Sequence, residues 1–414
     1  MAERKLSTAE QAIFSTVALP FAFKLLWAPL VDSVYSSAFG RRKTWIVPVQ
    51  AAIGFLLIGF SGQMDALLGP VPAEGAEGSV DIKSLTALFF TFYFLAATQD
   101  IAVDGLALTV LSERNKELGA TCNAIGQTFG YFLSYVGFLG LNAFGLATLG
   151  GFMAFWGWVF LGSTLWVLTV RRDEFGAPEG GILSEMGAAY KEMVLVVQLP
   201  SVRLLTLVLL TCKAPLAAFD ALIPFELLNE PIKVPKEHLA TLTTIMLPVG
   251  MLTQAYVSNL FADSKPMSIW LLSYKARLAI GVALVGFVVA LRMQTSGGGA
   301  IAGYMYAFGL VIMVASSMVS SAMFVAQMAF YNRVSDQRIG GTYMTMLNTF
   351  SNLGGQWPGT VVLALKGFIE KSPGLDSFTL CCGISAVLGG VWLLLMAPLV
   401  TNLQERPIKA WHAS

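Results

Sequence analysis

The 414-residue chain is 56% hydrophobic and only 12% charged, where a soluble protein carries about a quarter charged residues, so a water-facing surface is excluded and the bilayer is the expected solvent. A formal net charge of +1 excludes a nucleic-acid partner, which needs a concentrated basic face. The four cysteines, Cys122, Cys212, Cys381 and Cys382, lie in apolar runs without C-x-x-C spacing and read as small packing residues.

A bilayer-spanning helix needs roughly 20 apolar residues. Such runs predict membrane helices near 11–34, 45–61, 85–111, 120–144, 152–170, 202–226, 239–261, 269–293, 300–328, 340–365 and 378–400, about eleven spans. They leave no room for a separate soluble domain. Arg4 and Lys5 precede the first run like the start of a signal peptide, but the run is too long and Lys24 interrupts it.

Basic residues set the expected orientation. Alternate loops hold Arg41, Arg42, Lys43, Arg114, Lys116, Arg171, Arg172, Lys191, Lys265, Lys275, Arg277, Arg333, Arg338, Arg406 and Lys409. The opposite set, Arg4, Lys5, Lys83, Lys233, Lys236, Arg292, Lys366 and Lys371, is about half as rich, so the first set is expected in the cytoplasm. The carboxyl-terminal tail, 401–414, is then cytoplasmic.

The segment 171–201, with Arg171-Arg172-Asp173-Glu174 followed by Gly176, Pro178, Gly180 and Gly181, reads as a cytoplasmic loop. It divides five spans in 1–170 from six in 202–400. An echo supports two related halves: Asn123-x-x-Gly126-Gln127-x-x-Gly130 recurs as Asn352-x-x-Gly355-Gln356-x-x-Gly359. Parallel repeats with substrate between them are a common transporter plan. The glycines, with Asn123, Gln127 and Gln356, are expected to pack helices closely.

Few polar residues interrupt the apolar runs. Gln99 and Asp100 precede Asp104, and the two carboxylates, four residues apart, share one helix face. Charge at membrane depth is costly, so these groups face protein or a water-filled cavity. Proton coupling or substrate contact is one reading, and pairing with a basic group to lock the bundle is the other.

Lys24 and Lys213 lie too deep in their runs to reach a membrane surface. Each implies an anion or a carboxylate partner, with Asp100, Asp104 and Asp220 the candidates; Asp220 follows Lys213 by seven residues on one face. Pro215 and Pro224 break the helix ladder beside Lys213. The run 340–358 is rich in amides and hydroxyls, mainly for packing, with Asn348, Asn352 and Trp357 as candidate substrate contacts.

Other chemistry lacks its residues. Phe39-Gly40-Arg41-Arg42-Lys43 has no phosphate-loop spacing, and no Ser-His-Asp set, metal-ligand cluster, cofactor motif or Asn-x-Ser/Thr acceptor is found. His238 and His412 are expected in a loop and the tail, away from any span. An enzyme is therefore the weaker class.

Several segments together resemble one family. Phe23-Lys24-Leu25-Leu26-Trp27-Ala28-Pro29-Leu30-Val31-Asp32, Phe39 to Trp45, Ala96 to Gly105, Cys122-Asn123 with Gly126-Gln127, Val234 to Ala240 and Gly340 to Pro358 are similar to the acetyl-coenzyme A transporters of the major facilitator superfamily. The resemblance runs from about residue 8 to 400. It implies an all-α bundle of two six-helix halves that alternates access, carrying acetyl-CoA into the lumen of the endoplasmic reticulum.

On that resemblance the first span here corresponds to the family's second. One amino-terminal helix is missing, so the chain is either truncated or eleven-helical with a lumenal start. Asp32 with Arg41 and Arg42 looks like the superfamily's conformational gate. Asp100, Asp104, Lys213, Asp220 and Gln327 become cavity candidates. Acetyl-CoA, with about four negative charges on its phosphates, suits Lys213 and Lys24, while Asp100 and Asp104 are assigned to gating or proton coupling.

Bacterial muropeptide permeases resemble the Lys24 to Asp32 and Gln99 to Asp104 segments, so a carrier of another anionic or sugar-peptide solute is the alternative. An acetyltransferase-like membrane enzyme would need a base such as a histidine within a span. Homo-oligomerisation is left open by the sequence.

Overall fold

The computed structural model describes residues 10, 13–14, 16–69, 80–112, 115–169, 182–228, 231–234, 236–259, 265–296, 301–371 and 375–413. Among them every regular element is helical. In hydrocarbon an unpaired backbone group has no water to bond, and a helix satisfies its own.

The first expected span is a chain of short pieces: a 3₁₀ turn Thr16–Ala18, α1 Leu19–Phe23, a second turn Lys24–Leu26, and α2 Ala28–Ser33. The break has a cause in sequence, because Pro29 supplies no N–H to the ladder and the Trp27 N–H instead closes a 3₁₀ turn on the Lys24 carbonyl. Next come α3 Lys43–Ser61, a short α4 Met64–Leu68, α5 Ile82–Val110 and α6 Lys116–Tyr131. The last runs through a π-helical stretch, Phe132–Gly137, into α7 Phe138–Ala143.

After α8 Leu149–Thr169, an unexpected α9 Ile182–Gln198 occupies part of the segment read as a loop. Then follow α10 Pro200–Thr211, a 3₁₀ turn Ala214–Leu216, α11 Ala217–Leu228, α12 Lys236–Asn259, α13 Pro266–Thr295, α14 Gly303–Val334, α15 Gly340–Ile369 and α16 Ser377–Glu405.

Every span expected from the sequence coincides with a helical stretch. Among the described residues seven are long and apolar enough to cross a membrane by length and composition: α3, α5, α8, α10 with α11, α13, α14 and α16. The rest are interrupted, as in 16–33, or polar, as in α15. Leu394 and Val387 on α16 are 80% and 69% exposed, as expected of side chains that lipid covers.

Several basic residues assigned to loops lie well inside helices or in their last turns. Lys275 and Arg277 lie inside α13, Arg292 in its last turn, and Lys366 inside α15, where it is buried. His238 likewise falls in the first turn of α12 rather than a loop. For Arg277, Arg292 and Lys366 the reason is that each pairs with a carboxylate, so a cation does not by itself mark a loop.

The described residues form two compact units. Unit 1 takes those of 1–112, 133–195 and 335–346. Here α3 packs on α8 through Gly54 and Gly157, and a Cβ built on Gly157 would lie 2.6 Å from Ile58 and 2.9 Å from the Gly54 carbonyl, the small-residue contact usual between membrane helices. Ala28, Val31, Ile46, Ile101 and Ala102 form its buried core around α2.

Unit 2 takes 113–132, 196–334 and 347–414. In it α14 packs on α6, α12 and α13, and α13 packs on α16. Trp270, Tyr274 and Trp392 stack at its centre, with Tyr274 and Trp392 ring centroids 4.7 Å apart.

Candidate functional site

In unit 1, the break after α1 brings Lys24 to α5. Its ammonium donates to the Asp100 carboxylate, and the lysine is buried. Asp104, one turn further on α5, is buried as well, while Gln99 is half-buried. The Trp27 indole donates to Thr98 at 3.1 Å, fastening the same break to α5. Of the carboxylate candidates for Lys24, Asp100 is the one that it meets within the unit.

A second ion pair closes the end of α2. Arg42 and Asp32 are both 0% exposed and joined Nη1 to Oδ1. Arg41 donates to the Asp32 backbone carbonyl, and the Thr342 N–H donates to Asp32 Oδ2 at 2.6 Å. Burial pulls the Arg41 pKa down while the Asp32 charge opposes that shift.

Two glycines make the room. The Arg42 guanidinium lies where a Cβ on Gly105 would stand, and a Cβ on Gly341 would come within 2.7 Å of the Ile101 carbonyl and 2.9 Å of Asp32 Oδ1. Asp32, Arg41 and Arg42 are thus brought together as the sequence suggested. The parts of Gly105, Gly341 and Thr342 were not foreseen, although all three stand in the motifs that carry the resemblance.

In unit 2, Pro215 removes the donor that would continue α10 into α11, and the chain turns through Lys213 and Ala214–Leu216. Side-chain donors cover carbonyls around this break. The Trp357 indole donates to Leu210 O at 2.9 Å and the Tyr274 hydroxyl to Cys212 O at 2.9 Å, while Trp392 donates to the Thr211 hydroxyl at 3.0 Å. Trp357, proposed as a substrate contact, is half-exposed with its N–H held in this way.

Lys213 stands on the break, half-buried. Its ammonium donates to the Ser351 carbonyl at 3.1 Å and lies against Gly355, and among the described residues it has no carboxylate partner. Gln327, buried, donates to the Ser351 hydroxyl at 2.9 Å. Asn348 is half-buried in α15 one turn before Ser351, and Asn352 is exposed.

Asp220 does not meet Lys213. It takes both oxygens to Arg277 Nη2, at 2.9 and 2.8 Å, across α11 and α13. The pair borders a small cavity of about 150 Å³ lined mainly by Leu216, Phe219, Ile223 and Leu284.

The expected packing glycines separate in two. A Cβ on Gly126, Gly130 or Gly359 would meet no described atom within 4 Å, so these positions do not set a close approach. The neighbouring Gly354 does, against the backbone of Leu209 and Leu210 on α10. Within the echo, Gln127 donates to Asn123 at 2.9 Å, while Gln356 is exposed.

One cluster was missed altogether. Glu226, buried near the end of α11, accepts from Lys366 at 2.8 Å and from Arg292, which also bonds Asp376 at 3.1 Å. Its signal was a carboxylate in an apolar run two residues after Pro224, hidden because its partners were read as loop residues.

With this geometry in place, the comparisons give it a lineage. The family model described as Acetyl-coenzyme A transporter 1 matches residues 1–179, 177–269 and 254–373. An uncharacterised membrane protein of Saccharomyces cerevisiae is 30% identical over 446 residues, covering 88% of this chain and 78% of its own. An uncharacterised Schizosaccharomyces pombe protein is also 30% identical, over 98% of this chain and 82% of its own. The Escherichia coli anhydromuropeptide permease is 29% identical over 128 residues, 29% of this chain and 22% of its own. Among solved structures, the human organic anion transporter MFSD10 superposes with a TM-score of 0.61 at 12% identity, over 96% of this chain and 83% of its own. The proton:xylose symporter XylE gives 0.60 at 12% identity, over 95% and 88%. The chain therefore belongs to the acetyl-coenzyme A transporter family and has the major facilitator superfamily fold.

Proposed function

We propose that the chain carries acetyl-CoA across the endoplasmic reticulum membrane into the lumen by alternating access, acting as a carrier rather than an enzyme, with Lys213 as a contact for the substrate's phosphates. The observation that carries this reading is the state of Lys213. Lys24, Arg42, Arg277, Arg292 and Lys366 each bond a carboxylate, whereas Lys213 meets only a backbone carbonyl among the described residues. A half-buried cation without a counter-ion favours an anionic ligand, and phosphate supplies charge-assisted hydrogen bonds. The family model adds acetyl-CoA as the first anion to try.

The test is uptake of labelled acetyl-CoA by liposomes holding the purified chain. Losing one charged hydrogen bond costs about 1.5–3 kcal/mol, so Lys213→Gln should raise KM roughly 10- to 100-fold, and Lys213→Arg should keep most of the affinity. Uptake no faster than in empty vesicles removes acetyl-CoA as the substrate. The partial match to the anhydromuropeptide permease favours a second reading, a sugar-peptide cargo; it predicts that unlabelled anhydromuropeptide, rather than coenzyme A, is the competitor in the same vesicles.

A further inference from the structure

The Glu226 cluster has no part in the site described above, yet it joins the two helices that build it. Lys213 stands at the break before α11, and Ser351, Gly354 and Gly355 stand on α15. Both helices run on from there. Glu226 lies ten residues past Leu216, about 15 Å along α11, and Lys366 fifteen residues past Ser351, about 22 Å along α15.

At the near end the contact is backbone-tight, with Gly354 against Leu209 and Leu210 on α10 just before the break. Beyond the break α11 packs on α13 and α16, and the buried Glu226–Lys366 pair at 2.8 Å ties it to α15. The same carboxylate takes Arg292 from the last turn of α13, and Arg292 reaches Asp376, the N-cap of α16. Lys366 and Arg292 also lie over the rings of Phe225 and Phe378, at 4.2 and 4.7 Å, so both cations are held from two sides.

We propose that Glu226 is a positioning residue for transport: with the break at Cys212–Leu216 as hinge, its carboxylate clasps the far end of α11 to α15 and thereby sets how Lys213 stands against Ser351. The inference rests on the transport reading for its rate measurement only. Glu226 does not touch substrate in this role. It acts through α11, so its loss changes how fast the segment completes its movement and not how strongly Lys213 attracts an anion.

Glu226→Gln removes the charge with little change of shape. At saturating labelled acetyl-CoA, uptake into liposomes should fall at least about tenfold while KM changes less than about twofold, because Lys366 and Arg292 lose the buried carboxylate they share, keeping only Glu370 and Asp376, and Lys213 is intact. The second measurement is independent of substrate. Leu228 and Phe368 are exposed near the ends of α11 and α15, and Cys122 is the exposed cysteine among the four, the others being buried.

Nitroxides on Leu228→Cys and Phe368→Cys in a Cys122→Ser chain should give one narrow distance, and Glu226→Gln should lengthen and broaden it. If Glu226→Gln does not purify as a monodisperse protein, Lys366→Met carries the test, since it cuts the link to α15 and leaves Glu226 on Arg292. A shifted distance in a chain whose parent takes up no acetyl-CoA sinks the substrate assignment and supports the clasp. An unchanged distance, or a raised KM at an unchanged saturating rate, overturns it.

Discussion

Asp32→Asn is the sharpest probe of unit 1. Asp32 and its partner Arg42 are each 0% exposed, and Asp32 holds the Thr342 N–H and Arg42 Nη1 on its two oxygens. Asparagine keeps the size but takes the Asp32 charge away from the buried guanidinium. Removing one partner of such a pair costs about 3–5 kcal/mol, two to three and a half factors of ten in the ratio of closed to opened packing.

The matching control removes both charges. Asp32→Asn with Arg42→Met takes out both members of this ion pair, and replacing a buried pair by apolar groups is often neutral. The melting midpoint in detergent should therefore drop well below the parent for Asp32→Asn and recover most of the loss in the double variant. A single variant that melts with the parent, or a double variant that melts below the single, would refute the claim that charge compensation at Asp32 closes this end of α2.

Two further outcomes come from packing and from the linker helix. Gly354→Ala should cost about 1–3 kcal/mol by overpacking, because its Cβ would press on the rigid Leu209–Leu210 backbone, whereas Gly126→Ala and Gly359→Ala should stay within about 0.5 kcal/mol of the parent; melting of the three variants side by side checks both halves. Burial raises the Glu192 carboxyl pKa in α9, Arg338 only partly offsetting it, so the folded chain holds that proton more tightly than the unfolded one. Its charged form then opposes folding, and stability should rise as pH falls from neutral through the raised value toward the ordinary 4.5. Glu192→Gln should flatten that rise and raise the midpoint at neutral pH, the Arg338 partner that it loses being largely exposed; a pH series of melts decides it.

The spans were legible because lipid imposes a single rule on the sequence, an apolar run of fixed minimum length. The two breaks were legible in part, since Pro29 and Pro215 are visible, but not what bonds to the chain at the second: Tyr274 and Trp357 cover the Cys212 and Leu210 carbonyls and Trp392 bonds the Thr211 hydroxyl, from three other helices. Basic residues misled for a related reason. Arg277 and Lys366 were placed in loops by a charge rule that assumes cations avoid the membrane, yet Asp220 and Glu226 allow them to stay inside.

That error changes how charge reveals function in such a chain. A lysine in a span carries little information alone, because Lys24 and Lys213 look equivalent in sequence: each interrupts an apolar run, and each precedes a proline within five residues. Tertiary pairing separates them. Asp100 sits where the broken first span delivers Lys24, while Asp220, the obvious partner for Lys213 by spacing, is drawn off by Arg277 from α13. Arg277 Nη2 takes both Asp220 oxygens, so this carboxylate is already paired. Lys213 keeps only the Ser351 carbonyl among the described residues. Arg277→Lys should therefore weaken the hold on Asp220 and let it turn toward Lys213, lowering apparent substrate affinity although neither residue of the Lys213–Ser351 contact has changed; an unaltered KM in Arg277→Lys would show that Asp220 is no rival for the lysine.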